Sequence, residues 1–417
     1  MKPKIYSAEA HQIDIKRIDP DALYVLLKLR DTGHIAYLVG GSVRDLINQK
    51  NPKDFDISTS ATPEELKSIF GRRALLIGRR FRLAHIRFGN KVIEVSTFRS
   101  GDIDDEALIV KDNQWGDPEE DVLRRDFTIN GLFYESEHQT IIDYVGGWED
   151  IQAGILRTIG TAEKRFTQDP VRMIRLLKFK ARFGFTVEAQ TQEALLTCKG
   201  QITKSSPARI LEEMLRMLES GASATFFKLM VEHGLFKCLF PPLNHFLISP
   251  HGQECLKLLQ AADSLNLSLG TQTLERATLL CCLLFPILEF ELVRRYLTKE
   301  ITPKSADILL LVQHIIEHSL LAGFAHFPRR LTAAVEYILT AQYRLTPLSK
   351  RHSSSLKLLT NTEFPLALSF LKVRAHVHPA LIENYNWWEQ QQREGHHGER
   401  LPHPHIPVPP LLHRRET

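Results

Sequence analysis

The chain has 417 residues, 43% of them hydrophobic and 24% charged, with a formal net charge of +4 and a pI near 8.7. That length exceeds one typical core and predicts roughly two to four domains. The composition is that of a soluble globular protein and excludes a membrane-embedded one: the longest apolar run, Leu279–Leu288, has ten residues and contains Pro286, where a span needs about 20. The mild basicity permits an RNA partner without arguing for one.

In chain order, the N-terminus, Met1-Lys-Pro-Lys-Ile-Tyr, lacks the apolar stretch of a signal peptide. Short β-prone runs follow at Ala36–Val39, Phe55–Ser58, Ala84–Phe88, Val92–Phe98 and Thr140–Tyr144, with a helical pattern at Pro63–Phe70 that Thr62 would cap. This alternation predicts an α/β domain over residues 1–165. From Pro170 the pattern becomes 3.6-periodic, at Pro170–Phe183, Pro207–Ser220, Ala224–Val231 and Leu331–Gln342. An all-α remainder is expected, divided as 166–250 and 251–390. Residues 391–417 carry five histidines and five prolines, which predicts a disordered or polyproline-type tail. The five cysteines form no Cys-x-x-Cys pair and mostly sit among apolar neighbours. They read as buried thiols of a reducing compartment, so a cytoplasmic protein is expected.

Four segments suit chemistry on phosphates. Leu38-Val39-Gly40-Gly41-Ser42-Val43-Arg44-Asp45 runs a strand into two glycines and a helical segment; glycines allow close backbone approach to phosphate, and Arg44 adds a forked cation. Asp54-Phe55-Asp56 precedes β-prone residues. On a strand the two carboxylates share a face and repel each other unless a cation intervenes. Mg²⁺ is such a cation, and a two-metal site can activate a hydroxyl and stabilise a leaving pyrophosphate. Arg124-Arg125-Asp126-Phe127-Thr128-Ile129-Asn130 offers donors for a triphosphate and a ribose. In Gln168-Asp169-Pro170-Val171-Arg172-Met173-Ile174-Arg175, Asp169 suits the N-cap of a helix, and positions 169, 172 and 175 share one face as an acceptor and two donor forks.

The ordered set Gly40-Gly41-x-x-Arg44-Asp45, Asp54-x-Asp56, Arg124-Arg125-Asp126-Phe127-Thr128-Ile129-Asn130 and Asp169-Pro-x-Arg172-x-x-Arg175 resembles the bacterial and eukaryotic class of the tRNA nucleotidyltransferase and poly(A) polymerase family. The resemblance covers roughly residues 30–240. It implies a polymerase-β-like α/β head followed by an all-α neck, body and tail, and an enzyme that adds nucleotides to RNA 3′ ends with ATP as substrate and two Mg²⁺ ions. It implies Asp54 and Asp56 as metal ligands and Asp126 as a further catalytic carboxylate. Gly40, Gly41, Arg44, Arg125, Asp169, Arg172 and Arg175 become nucleotide-binding residues. Two positions depart from the family: Gln168 stands where Glu is common, and Lys178 where Arg often follows. Glu94, sharing strand parity with Val92 and Ser96, competes with Asp126 for the third carboxylate.

Within the family two activities remain open. Asp169 and Arg172 can read the amine and ring nitrogen of adenine or cytosine alike. The stretch Leu76-Ile77-Gly78-Arg79-Arg80-Phe81-Arg82-Leu83-Ala84-His85 resembles bacterial poly(A) polymerases, with Arg79, Arg80 and Arg82 as RNA contacts. Phe327-Pro328-Arg329-Arg330-Leu331 and the region of Arg374 resemble their arginine-rich C-terminal domain. Lys350, Arg351 and Arg374 join the residues expected to hold RNA phosphates. Poly(A) addition is therefore expected, with CCA addition to tRNA as the alternative. An inactive RNA-binding module would not need Asp54, Asp56 and Arg44.

Overall fold

The computed structural model describes residues 2–78, 83–100, 115–270, 272–320, 327–347 and 356–394. Arg79, Arg80, Arg82, Lys350, Arg351 and the histidine-rich tail lie outside the described residues. The chain divides into two compact units, Met1–Gln201 and Ile202–Thr417.

The first unit is built on an eight-stranded sheet. Its strands are β1 (Lys4–Tyr6), β2 (Ala36–Val39), β3 (Asp56–Thr59), β4 (Ala74–Ile77), β5 (Leu83–Phe88), β6 (Lys91–Thr97), β7 (Leu132–Glu135) and β8 (Thr140–Asp143). The order across the sheet is β1-β8-β7-β2-β3-β6-β5-β4. The β3–β6 pair is parallel; its neighbours are antiparallel. All five expected strands form, within a residue of their expected ends. The strands β1, β4 and β7 were not among the expected runs.

Helices pack on this sheet or follow it: α1 (Pro20–Asp31), α2 (Gly41–Ile47), α3 (Pro63–Phe70), α4 (Pro118–Leu123), α5 (Gly147–Ala153), α6 (Ala162–Gln168), α7 (Val171–Phe183) and α8 (Ala189–Cys198). Thr62 caps α3 as expected, in a reciprocal capping box with Glu65. The expected cap of α7 is corrected. The helix starts at Val171 with Pro170 at its cap position, and Asp169 closes α6 instead. The Asp169 contribution at the cap is its backbone carbonyl, which accepts from Arg172 N. Its carboxylate is thereby released to face Arg172.

The second unit is helical throughout its described residues. Helices Gln253–Ser268, Arg276–Arg295, Arg329–Leu345 and Phe364–Val377 pack together. Pro286 sits inside Arg276–Arg295, and Trp388 is fully enclosed in a cluster with Phe364 and Leu371. All five cysteines are free thiols, four of them buried. No helix among the described residues is long and apolar enough to cross a membrane.

Candidate active site

The parallel register of β3 and β6 pairs Asp56 with Glu94 and Ser58 with Ser96. Side chains two residues apart on a strand share a face, so Asp56, Ser58, Glu94 and Ser96 form two polar rows on one side of the sheet. The hydroxyls of Ser58 and Ser96 meet at 3.0 Å. On β5, His85 is in register with Glu94, its Nε2 3.7 Å from the Glu94 carboxylate. Asp54 is exposed and precedes the strand. It lies outside β3, so strand alternation, the expected reason for its pairing with Asp56, does not apply.

The Gly40-Gly41 turn stands at the end of β2, beside β3. Gly40 adopts φ 67°, ψ −128°, a conformation that a β-carbon disfavours. A β-carbon at Gly40 would stand 3.6 Å from Arg125 Nη1, and one at Gly41 3.5 Å from Arg44 Nη2. The turn is thus flanked by two guanidinium groups, whose roles differ. Arg125 donates from Nη2 to Ser58 Oγ at 3.0 Å and to Asp121 at 2.9 Å. It is partly exposed, with its side chain 14% accessible, and so links the polar rows to the glycine turn.

Arg44 is buried at 3%. Its Nε and Nη2 donate to Asp45 Oδ1 at 2.9 and 2.8 Å, and its Nη1 to Asn130 at 2.6 Å. Phe179 and Phe183 of α7 cover it, with ring centroids 5.0 and 4.6 Å from the guanidinium carbon. Burial pulls its pKa down, against the pull of Asp45. The Arg44 fork, expected to contact phosphate, is engaged inside the protein with Asp45 and Asn130, between the glycine turn and α7.

Asp126 is likewise committed. Its Oδ1 accepts from Phe127 N at 2.8 Å and Asn130 Nδ2 at 3.0 Å. Its Oδ2 accepts from Arg175 Nε at 2.7 Å and pairs with Arg175 Nη2 at 2.7 Å. Burial alone would raise its pKa, yet Arg175, Asn130 and Arg172 outweigh burial and hold the carboxyl well below the usual carboxylate range. Asp126 is a buried anchor for the helix carrying Arg175, and Arg175 is its counter-ion. Glu94, the other candidate for a third carboxylate, is the residue in register with Asp56.

On α7, Arg172 is buried at 6%, with its Nε 4.0 Å from the Asp169 carboxylate. Its Nη2 donates to the Arg124 carbonyl at 2.8 Å. The acceptor and donor expected to share a helix face do stand together. Ser58 and Ser96 were not singled out beforehand, although strand parity with Asp56 and Glu94 carried the signal. Arg165 and Asp121 had no local signal, since only long-range contacts bring them to the site.

Among the described residues, one group of three ligand-type side chains has its atoms within 4.8 Å of one another: Glu135, Glu137 and His138. Glu135 there accepts from the Glu137 and His138 amides of its own turn, which accounts for the grouping. The carboxylates of Asp54, Asp56 and Glu94 offer hard oxygen donors of the kind that suits Mg²⁺.

In the second unit, Arg374 is corrected as an RNA contact. It is 4% exposed and donates to Gln342 and Thr346 at 3.0 and 3.3 Å. It lies 3.7 Å from Glu289 and over the Phe285 ring at 4.2 Å. Arg329 and Arg330 are exposed at a helix start.

Comparison with known proteins gives the same architecture. Residues 36–157 match the poly A polymerase head domain, 184–247 the probable RNA and SrmB-binding site of polymerase A, and 317–406 the polymerase A arginine-rich C-terminus. Poly(A) polymerase I of Escherichia coli O6:H1 is 34% identical over 400 residues, covering 92% of this chain and 84% of that protein. The Haemophilus influenzae poly(A) polymerase I is 32% identical, covering 92% and 87%. A Staphylococcus aureus CCA-adding enzyme is 37% identical over 208 residues, 49% of this chain and 50% of that one. The crystal structure of the Bacillus stearothermophilus CCA-adding enzyme in complex with CTP superposes with a TM-score of 0.62 at 27% identity, covering 90% of this chain and 82% of that one. By its relatives along nearly the whole chain, by the three matching domains and by the motifs assembled around the glycine turn, the chain belongs to the poly(A) polymerase family.

Proposed function

We propose that this protein is a template-independent nucleotidyltransferase that adds AMP residues from ATP to RNA 3′ ends. The observation that carries the reading is the carboxylate row of Asp56 and Glu94 beside a glycine turn that Arg125 lines. Asp54, Asp56 and Glu94 would hold Mg²⁺. When bound, the ions supply activation of the attacking hydroxyl and neutralise charge on the leaving pyrophosphate. Arg125 receives the triphosphate over Gly40 and Gly41. Asp169 accepts from the adenine amine, and Arg172 donates to the ring nitrogen. Arg44, Asp126 and Arg175 hold the turn and α7 in place. The polymerase relatives, aligned over 92% of the chain, favour AMP addition; CCA addition is the second reading, favoured by the relative aligned over 208 residues.

Primer extension with each triphosphate separately tests this. Long tails from ATP on a generic RNA support it, whereas short additions confined to tRNA transcripts support the second reading. Replacing both Asp54 and Asp56 by Asn should abolish extension while the protein stays folded, because several kcal/mol of transition-state stabilisation is lost. Near-normal extension by the folded double variant would refute the metal assignment.

A further inference from the structure

The short helix α4 ends at Leu123, with Arg124 at its C-cap and Arg125 following, and helix ends leave backbone carbonyls without intrahelical partners. Two guanidinium groups supply them. Arg172 Nη2 donates to the Arg124 carbonyl and Arg165 Nη2 to the Arg125 carbonyl, each at 2.8 Å. Arg165, on α6, is 2% exposed. Its Nη1 donates to Gln168 Oε1 at 3.0 Å, and its buried Nε makes no hydrogen bond. Among the described residues both of its hydrogen-bond acceptors are neutral. Burial first, then the neighbouring cations Arg172 and Arg124, push its pKa down to about 9, against the opposing pull of Asp126 and Asp169.

A buried guanidinium without a hydrogen-bonded carboxylate opposes folding relative to an apolar residue of similar size. Its two donated bonds go to the turn that carries Arg125 and to the residue preceding Asp169. We propose that Arg165, held by Gln168, is a positioning residue of the nucleotide site. It fixes the Arg124–Arg125 turn, and through that turn sets Arg125 against Gly40 and Ser58, and Arg172 against Asp169. This rests on the nucleotide-site reading above. The glutamine matters in its own right: it supplies an acceptor without a charge, so Arg165 stays available to the Arg125 carbonyl instead of being drawn wholly into an ion pair.

The test is single-nucleotide addition with ATP and with GTP, alongside thermal unfolding, for Arg165→Met, Arg165→Lys, Gln168→Leu and Arg172→Ala. Arg165→Met should raise the KM for ATP up to about tenfold, because the turn carrying Arg125 loses its guanidinium donor. It should also erode the preference for ATP over GTP, with kcat changed much less. Arg165→Lys keeps a cationic donor for the Arg125 carbonyl and should recover most of the KM. A folded Arg165→Met protein with wild-type KM and preference overturns the proposal. If Arg165→Met does not fold, Gln168→Leu removes the Nη1 acceptor while keeping the cation. A raised KM there supports the proposal, and a wild-type KM overturns it. Arg172→Ala separates the two levels: if it leaves the preference intact, the nucleotide-site reading fails. If it erodes the preference while Arg165→Met does not, only the positioning role fails.

Discussion

Replacing Asp126 by Asn distinguishes a buried anchor from a metal ligand. The carboxyl accepts from Phe127 N, Asn130 and Arg175 and is 8% exposed. Breaking a buried ion pair by removing one partner destabilises by about 3–5 kcal/mol. The Arg175 side chain is 33% exposed, so water relieves part of that loss, and roughly 2–4 kcal/mol is the fitting range. For a unit of this size, each kcal/mol moves the melting temperature by about 2–4 °C, so a fall of roughly 5–15 °C is expected. The sign of the pH dependence follows from the depressed pKa. The stabilisation is present above the unfolded carboxylate pKa of about 4 and disappears as pH falls through the lower folded value. The gap between wild type and Asp126→Asn should therefore be full near neutrality and shrink in acid. The assay is thermal unfolding across pH, paired with the Mg²⁺ dependence of extension by each protein. An Asp126→Asn protein with unchanged melting but a Mg²⁺ requirement shifted tenfold or more would refute the anchor role and restore Asp126 as a metal ligand.

Two further substitutions address base choice and the second unit. ATP should be preferred over GTP by roughly tenfold to a hundredfold, since the GTP carbonyl facing the Asp169 carboxylate costs about 1–3 kcal/mol, and Arg172→Ala should remove part of that preference along with much of the rate; the measurement is addition of all four triphosphates. Unchanged preference in an active variant would place base reading elsewhere. Arg374→Met should lower the melting temperature of the second unit, because Glu289, Gln342 and Thr346 lose their buried partner. The folded fraction should bind RNA with wild-type affinity and salt dependence; a shallower salt slope would restore Arg374 as a phosphate contact.

Much of the fold was legible because it is local. Period-two runs marked β2, β3, β5, β6 and β8, and the Thr62–Glu65 box marked the start of α3. The order of the glycine turn, carboxylate pair and arginine motifs was enough to identify the family. Parity along β6 already put Glu94 in contention with Asp126, but a strand does not reveal its neighbour. Only the β3–β6 register, pairing Asp56 with Glu94, favours Glu94.

The same limit governs the arginines. Arg44, Arg125, Arg165, Arg172, Arg175 and Arg374 carry the same charge and look alike in the chain. What separates a phosphate contact from an internal brace is the partner each meets. Those partners, Asn130 for Arg44, Asp126 for Arg175 and the Arg125 carbonyl for Arg165, lie 86, 49 and 40 residues away. Burial and existing hydrogen bonds set how many donors a guanidinium keeps for a ligand: Arg44 is bonded through Nε, Nη1 and Nη2, whereas the bonds of Arg125 run through Nε and Nη2. Sequence alone determined which residues this protein has available for nucleotide chemistry. Tertiary packing decided how deeply each is desolvated and which partner it meets, because desolvation and hydrogen-bond saturation are properties of an enclosed environment that residues distant in the chain build together.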